Sequence, residues 1–228
     1  MRIRGSDIPN RPMDLTEWAY NSIKQLILNN TLTADSQIHI DQMAAQLNIS
    51  RTPVREALMQ LQNKGLVKIV PHVGCFVCRI TREEFCEVFE LRALIESYAA
   101  RRAAETMTED QLRHWVDHVN KSEAAVRQGN LREFNVLETI IHDSLIVNLH
   151  NRRILDVMDL VADIIYRERM IAMGSMDNVE RSLEEHRQVV DAIVSRNPDE
   201  AARLMEQHVR NVQTRIEQIV FDSEPELE

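Results

Sequence analysis

Two sets of side chains in this sequence have the type and spacing to do chemistry. The first is Arg51, Thr52 and Arg55 in the run SRTPVREAL, residues 50–58. Two guanidinium groups one turn apart at the tip of a helix can reach guanine O6 and N7 in pairs or clamp a phosphate, and the tip itself attracts anions. The second set is Glu138, His142, His186 and His208. On a helical wheel, at about 100° per residue, Glu138 and His142 fall within the arc of Leu131, Phe134, Ile141, Leu145 and Leu149. His186 falls among Val179, Leu183, Val190 and Ile193, and His208 among Ala201, Met205, Val212 and Ile219. Burying these groups unpaired costs roughly 1 to 3 kcal/mol each, more if ionised. Taken singly, each histidine reads as a core residue hydrogen-bonded to a neighbour. Taken together, one oxygen and three nitrogens suit a divalent cation, zinc first, with nickel or manganese as alternatives.

Three other signals need weighing. Arg92 lies on the arc of Phe85, Val88, Ile95 and Ala99, so its guanidinium points inward; it reads equally as a contact for a carboxylate ligand and as an ion pair with Glu96 one turn on. His114 and His118 form an HxxxH, but both project away from the stripe of Leu112, Trp115, Val119 and Val126, which favours a solvated pair over a metal clip. Cys75 and Cys78 form a CxxC inside a strand-like run, GCFVCRI, where residues three apart point to opposite faces, so they read as small strand residues.

The elements that must hold these groups follow from periodicity. Five glycines and six prolines in 228 residues favour a mainly helical chain over a turn-rich sheet protein. Apolar residues recur at helical spacing from Asp14 to Ile27, and again at Ile40, Met43, Ala44 and Leu47, ending near Asn48. A third helix is expected with Ser50 or Thr52 as cap and Pro53 as first residue, its stripe Val54, Ala57, Leu58 and Leu61, stopped by Gly65. LVKIVPHVGCFVCRI then reads as a hairpin. Three helices and a hairpin make a winged helix-turn-helix, with Lys68 and His72 on the wing near phosphates or the minor groove. From Thr81 onward six helical patterns follow, about 82–105, 108–128, 131–149, 152–174, 178–196 and 198–221, an all-helical bundle. Residues 1–80 carry nine Lys/Arg against six Asp/Glu, a charge of +3, whereas the remainder sums to −12; two domains with different partners are implied. No apolar run of 18 residues occurs, and the opening MRIRGSDIPNR lacks the apolar segment of a secretory signal. A cytoplasmic protein without a membrane partner is expected.

The run MAAQLNISRTPVREALMQLQNKGLV, Met43 to Val67, with PHVGCFV at the wing, resembles the DNA-binding signature of the GntR family of bacterial transcription regulators. The resemblance implies that Arg51, Thr52, Pro53, Arg55, Lys68, His72 and Gly74 form the DNA-facing set. Two departures stand out: NNTLTADS replaces a Gly and Pro-Gly loop, and Asp41 stands where some members place a DNA-touching arginine. The segment from Phe85 to Val220 is similar to the FCD ligand domain of the FadR subfamily, through Arg92 to Glu96, Glu138-Thr-Ile-Ile-His142, Glu185-His186-Arg187 and His208. That likeness implies a metal held by Glu138, His142, His186 and His208, with Arg92 touching a small carboxylic acid effector. Here Glu138 replaces the usual Asp and Ile141 the usual Phe.

The expected layout is an N-terminal arm at 1–13, a winged helix-turn-helix at 14–79, a helical metal- and effector-binding domain at 80–224 and a tail at 225–228. The expected function is that of a homodimeric regulator, a repressor, on a pseudo-palindromic DNA operator, released by a small organic acid. Two alternatives are a metal sensor with the ion as effector, and a metalloenzyme with a DNA-binding appendage. The absence of HExxH or of a general base beyond the ligands themselves argues against an enzyme.

Overall fold

The computed structural model describes residues 14–221, so the expected arm and tail lie outside the described residues. The chain divides into two compact units between Ile80 and Thr81.

The first unit runs α1 (Leu15–Leu28), β1 (Gln37–Ile38), α2 (Ile40–Leu47), α3 (Arg51–Asn63), β2 (Val67–Val70) and β3 (Gly74–Val77). Asp14 caps α1 by accepting from the backbone N–H of Thr16 and Glu17 at 2.8 and 3.2 Å, and Ala19, Ile23, Leu26 and Ile27 bury its inner face. Asn48 ends α2 in the left-handed region at φ 54° and ψ 49°, which turns the chain sharply into α3. α3 starts two residues earlier than expected: Ser50 is the cap residue but its side chain makes no capping bond. Pro53 is therefore third in the helix, still within the first turn, where its missing N–H costs nothing.

The sequence reading also missed a strand. β1 lies at the end of the polar break after α1 and pairs antiparallel with β3, Gln37 opposite Phe76 and Ile38 opposite Cys75, so the sheet order is β1-β3-β2. At Gly74, with φ 151°, the Gln37 side chain packs so closely that a Cβ would stand 2.3 Å from Gln37 Nε2. The Gln37 amide donates to the Val73 carbonyl at 3.2 Å and ties the strand to the wing turn.

The second unit is helical throughout its described residues: α4 (Arg82–Thr106), α5 (Glu109–Arg127), α6 (Leu131–Asn148), α7 (Arg152–Ala172), α8 (Met176–Val194) and α9 (Pro198–Val220). Side-chain caps at Thr81, Thr108, Asn130, Asn151 and Asn197 set five of the six starts. α4, α6, α8 and α9 each bury one face, although Ile219, expected in the core, is 41% exposed near the C-terminal end of α9. α7 is different: of its 21 residues only Ile165, Glu168 and Arg169 are buried. No helix among the described residues is long and apolar enough to cross a membrane.

Candidate functional site

The first candidate face lies at the start of α3. Arg51, Thr52 and Arg55 are exposed while Val54, Ala57 and Leu58 are buried, so the helix turns its basic edge outward. Pro53 is buried and shapes the tip from within. An open groove of about 790 Å³ runs between α2, α3 and the wing, with Asp41, Arg51, Arg55, Met59, His72 and Gly74 among its walls. Lys68 is exposed on β2, opposite Phe76 of β3, and His72 holds the wing tip at φ 62°. Asp41, the acidic departure at the start of α2, makes an ion pair with Arg51, Oδ1 to Nε 2.6 Å, and both side chains remain about two-thirds exposed, at 66% and 64%.

The second candidate site is inside the helical unit. His142 from α6, His186 from α8 and His208 from α9 are fully buried and converge through their Nε2 atoms, at 3.0 Å from His142 to His186 and 3.1 Å from His186 to His208. Their outer nitrogens are held. His142 Nδ1 donates to Glu96 Oε2 at 2.7 Å, and His208 Nδ1 donates to Glu185 Oε2 at 2.8 Å. Burial alone would raise the Glu96 carboxyl, but Arg92 and His142 beside it hold it well below its ordinary value. Burial likewise opposes ionisation of Glu185, yet bonds from His208 and Arg215 bring it down to about 2. Both acceptors are ionised, so both Nδ1 atoms carry hydrogen and both partner Nε2 atoms offer lone pairs inward.

Burial pushes all three imidazoles below their ordinary pKa, so each is neutral at pH 7. His186 Nε2 then carries at most one proton and cannot serve both neighbours. At least one close contact sets lone pair against lone pair, which a cation would resolve. Nitrogens sharing a tetrahedral zinc ion at 2.0–2.1 Å lie about 3.3 Å apart, close to the spacing here. Carboxylates on the outer ring nitrogens are also how metal-binding histidines are oriented.

Among the described residues, His142, His186 and His208 form the one group of three or more whose potential ligand atoms all lie within 4.8 Å of one another. Glu138 is buried on the same side of α6 but its carboxylate is not part of that group; it lines the adjoining cavity with His208. Burial raises its carboxyl above the ordinary value even with Arg169 nearby. His114 and His118 stay outside: His114 is exposed, and His118 Nδ1 donates to the His114 carbonyl at 2.8 Å. Cys75 is buried and Cys78 half-buried, both as free thiols, and burial pushes the Cys75 thiol up to about 11.

Arg92 makes the ion pair anticipated with Glu96, Nε to Oε1 2.8 Å. Its Nη1 stands 3.7 Å from Glu168 Oε2. The cavity beside the nitrogen cluster, about 20 Å³, is walled by Arg92, Glu138, Arg169, Asn178, Ser182 and His208 among others. Glu168, Arg169 and Asn178 went unnoticed in the sequence. All three are buried, Glu168 and Arg169 beside Ile165 on α7 and Asn178 beside Val179 on α8. Charged residues next to a single apolar one give only a faint signal.

A family model for bacterial regulatory proteins of the gntR type matches residues 15–77, and one for the FCD domain matches residues 87–211. The chain belongs to the GntR family, with an FCD domain. GntR proteins of similar sequence include the HTH-type transcriptional repressor RspR of Escherichia coli, 25% identical over 92% of both chains. Another is a probable D-xylose utilization operon transcriptional repressor of Paenarthrobacter nicotinovorans, 30% identical over 74% of both. A putative GntR regulator from Rhodococcus sp. RHA1 shares the fold, with a TM-score of 0.74 at 18% identity, over 88% of this chain and 96% of that one. This GntR chain is thus a DNA-binding transcription regulator and not an enzyme.

Proposed function

We propose that the chain is a homodimeric repressor that binds a pseudo-palindromic operator through the α3 face and wing. Its affinity is set by a small organic acid in the helical unit, beside a divalent metal ion held by His142, His186 and His208. The observation that carries this reading is the shortage of protons among three converging, outwardly tethered imidazole nitrogens. Zinc fits a nitrogen-rich donor set best, and Glu138 stands by as a carboxylate from the same face of α6. Once bound, the ion would supply a fixed positive charge that attracts an acid. Glu96 and Glu185 orient the imidazoles, and Arg215 and Asn211 in turn hold Glu185, each at 2.8 Å. A repressor is supported by the names of two relatives. A homodimer is supported by the two-fold symmetry that paired half-sites require and by apolar side chains left in solvent on α4 and α7, notably Leu94 and Leu160 at 65% and 73% exposure.

A second reading, in which the ion is itself the effector, is favoured by the size of the cavity, room for about one water. One experiment separates them. Purified protein is analysed for metal, stripped with chelator and reloaded with zinc, and operator affinity is measured at each stage with and without a panel of small acids. The proposal expects zinc near one ion per chain, lost in His142→Ala, His186→Ala and His208→Ala, and an operator affinity that an acid changes only in the loaded protein. Unchanged metal content in all three variants would sink the site; a full response to zinc alone would favour the sensor.

A further inference from the structure

Arg92 and Arg169 both wall the cavity beside the nitrogen cluster, yet the structure treats them differently. Arg92 is matched by Glu96 at 2.8 Å. Arg169, on α7, is also buried, with 9% of its surface exposed. Its Nη1 donates to Thr139 Oγ1 at 3.0 Å, a neutral partner. Its Nε makes no hydrogen bond, and among the described residues no carboxylate lies within ion-pair distance of it. Leaving a cation buried and unpaired is among the costliest arrangements a protein can hold. The neighbouring carboxyls compensate poorly, since burial raises the Glu138 carboxyl and pushes that of Glu168 up to about 8. Arg169 is thus a buried guanidinium with no carboxylate paired to it. Asn178 and Ser182, buried on α8, add neutral hydrogen-bonding groups to the cavity lining.

Building on the effector reading above, we infer that Arg169, rather than Arg92, takes the carboxylate of the effector, and that the ligand is a small monoanionic acid. The position of Arg169 gives this contact a mechanical consequence. Only three of the 21 residues of α7 are buried, and two of them, Glu168 and Arg169, are polar. The helix therefore has little apolar packing to hold it, and an anion at Arg169 supplies the counter-charge that seats it. A cavity of about 20 Å³ is too small for an acid of several heavy atoms, so entry requires the α7 wall to shift.

The test uses the full chain, zinc-loaded, with acetate as probe and acetamide as its uncharged counterpart of the same shape. Calorimetry is expected to show saturable acetate binding, with acetamide at least tenfold weaker. Arg169→Gln should weaken acetate at least tenfold while keeping zinc content and operator binding. Without acid, Arg169→Met should melt at or above the wild-type temperature, since an unpaired buried charge has been removed. Acetate bound by Arg169→Gln within threefold of wild type, or by wild type no better than acetamide, overturns the inference. So does a clear drop in melting temperature in both variants, which would make Arg169 a structural residue. Acetate that fails to bind wild type at all overturns both this inference and the acid-effector reading, whereas binding unaffected by Arg169→Gln overturns this inference alone.

Discussion

Within the proposed DNA-facing set, Arg51 is the side chain whose geometry is most constrained. With its Nε held by Asp41 at 2.6 Å, the far edge of the guanidinium is left to present two parallel N–H groups, the arrangement that reads guanine O6 and N7. An aspartate in the groove also repels phosphate, so it costs affinity for DNA in general while sharpening the choice of base. Asp41→Asn is therefore expected to bind random-sequence DNA several-fold more tightly and to lose part of its discrimination between the operator and single-base variants at the Arg51 contact. Competition binding at fixed salt checks this; an unchanged specificity ratio would show that the ion pair does not position Arg51. A second residue-scale expectation concerns Glu168. Its folded carboxyl is pushed up to about 8 by burial, against an ordinary 4.5, with Arg92 and Arg169 only partly opposing and Glu96 adding to the rise. Between those values the folded state holds a proton that the unfolded state has released, so stability falls as pH rises from about 4.5 toward 8. Glu168→Gln removes that slope. Melting curves at pH 5.5, 6.5 and 7.5 should show the variant gaining on the wild type as pH rises, by an amount on the order of 1 to 3 kcal/mol.

At the scale of elements, sequence periodicity located every helix among the described residues, with ends within two residues of the expected ones, because the stripes are long and most starts carry a capping side chain. β1 was illegible for the opposite reason. Two residues, one of them polar, carry no periodicity, and the strand is defined by its pairing with the edge of β3. The histidines were legible because an imidazole on an apolar arc is conspicuous. What could not be read was distance across helices: a wheel places Glu138 and His142 on one face of α6 but cannot say that Glu138 turns to the cavity while Glu96, from α4, takes the outer nitrogen of His142. α7 shows the same limit, since its inward face is built on charges that a sequence pattern assigns to solvent. Removing the tether should matter accordingly. Glu96→Gln keeps the shape but frees the tautomer of His142 and leaves Arg92 without its counter-charge; zinc affinity is expected to fall about 10- to 100-fold, measured by competition with a chelator, with the histidines all in place.

At the scale of the whole molecule, the charge is divided: residues 1–80 carry +3 and the rest −12. An acidic protein of this kind binds DNA through a few local cations and gains nothing from its overall field, which favours weak non-specific association and a large contrast between operator and bulk DNA. Each phosphate neutralised adds about 0.9 to the slope of log affinity against log salt. Arg51 is already neutralised by Asp41, so its contact should contribute to base choice more than to that slope. Arg55 and Lys68, both exposed, should carry the salt dependence. Operator affinity of the full chain is thus expected to fall steeply with salt. Lys68→Ala should lower the slope by about 1 for each half-site and weaken all sequences alike, whereas Arg51→Ala should weaken the operator far more than random DNA and leave the slope nearly unchanged. A flat salt response in the wild type, or equal slope changes in both variants, would mean that the α3 face and wing do not divide the work of holding and reading DNA in this way.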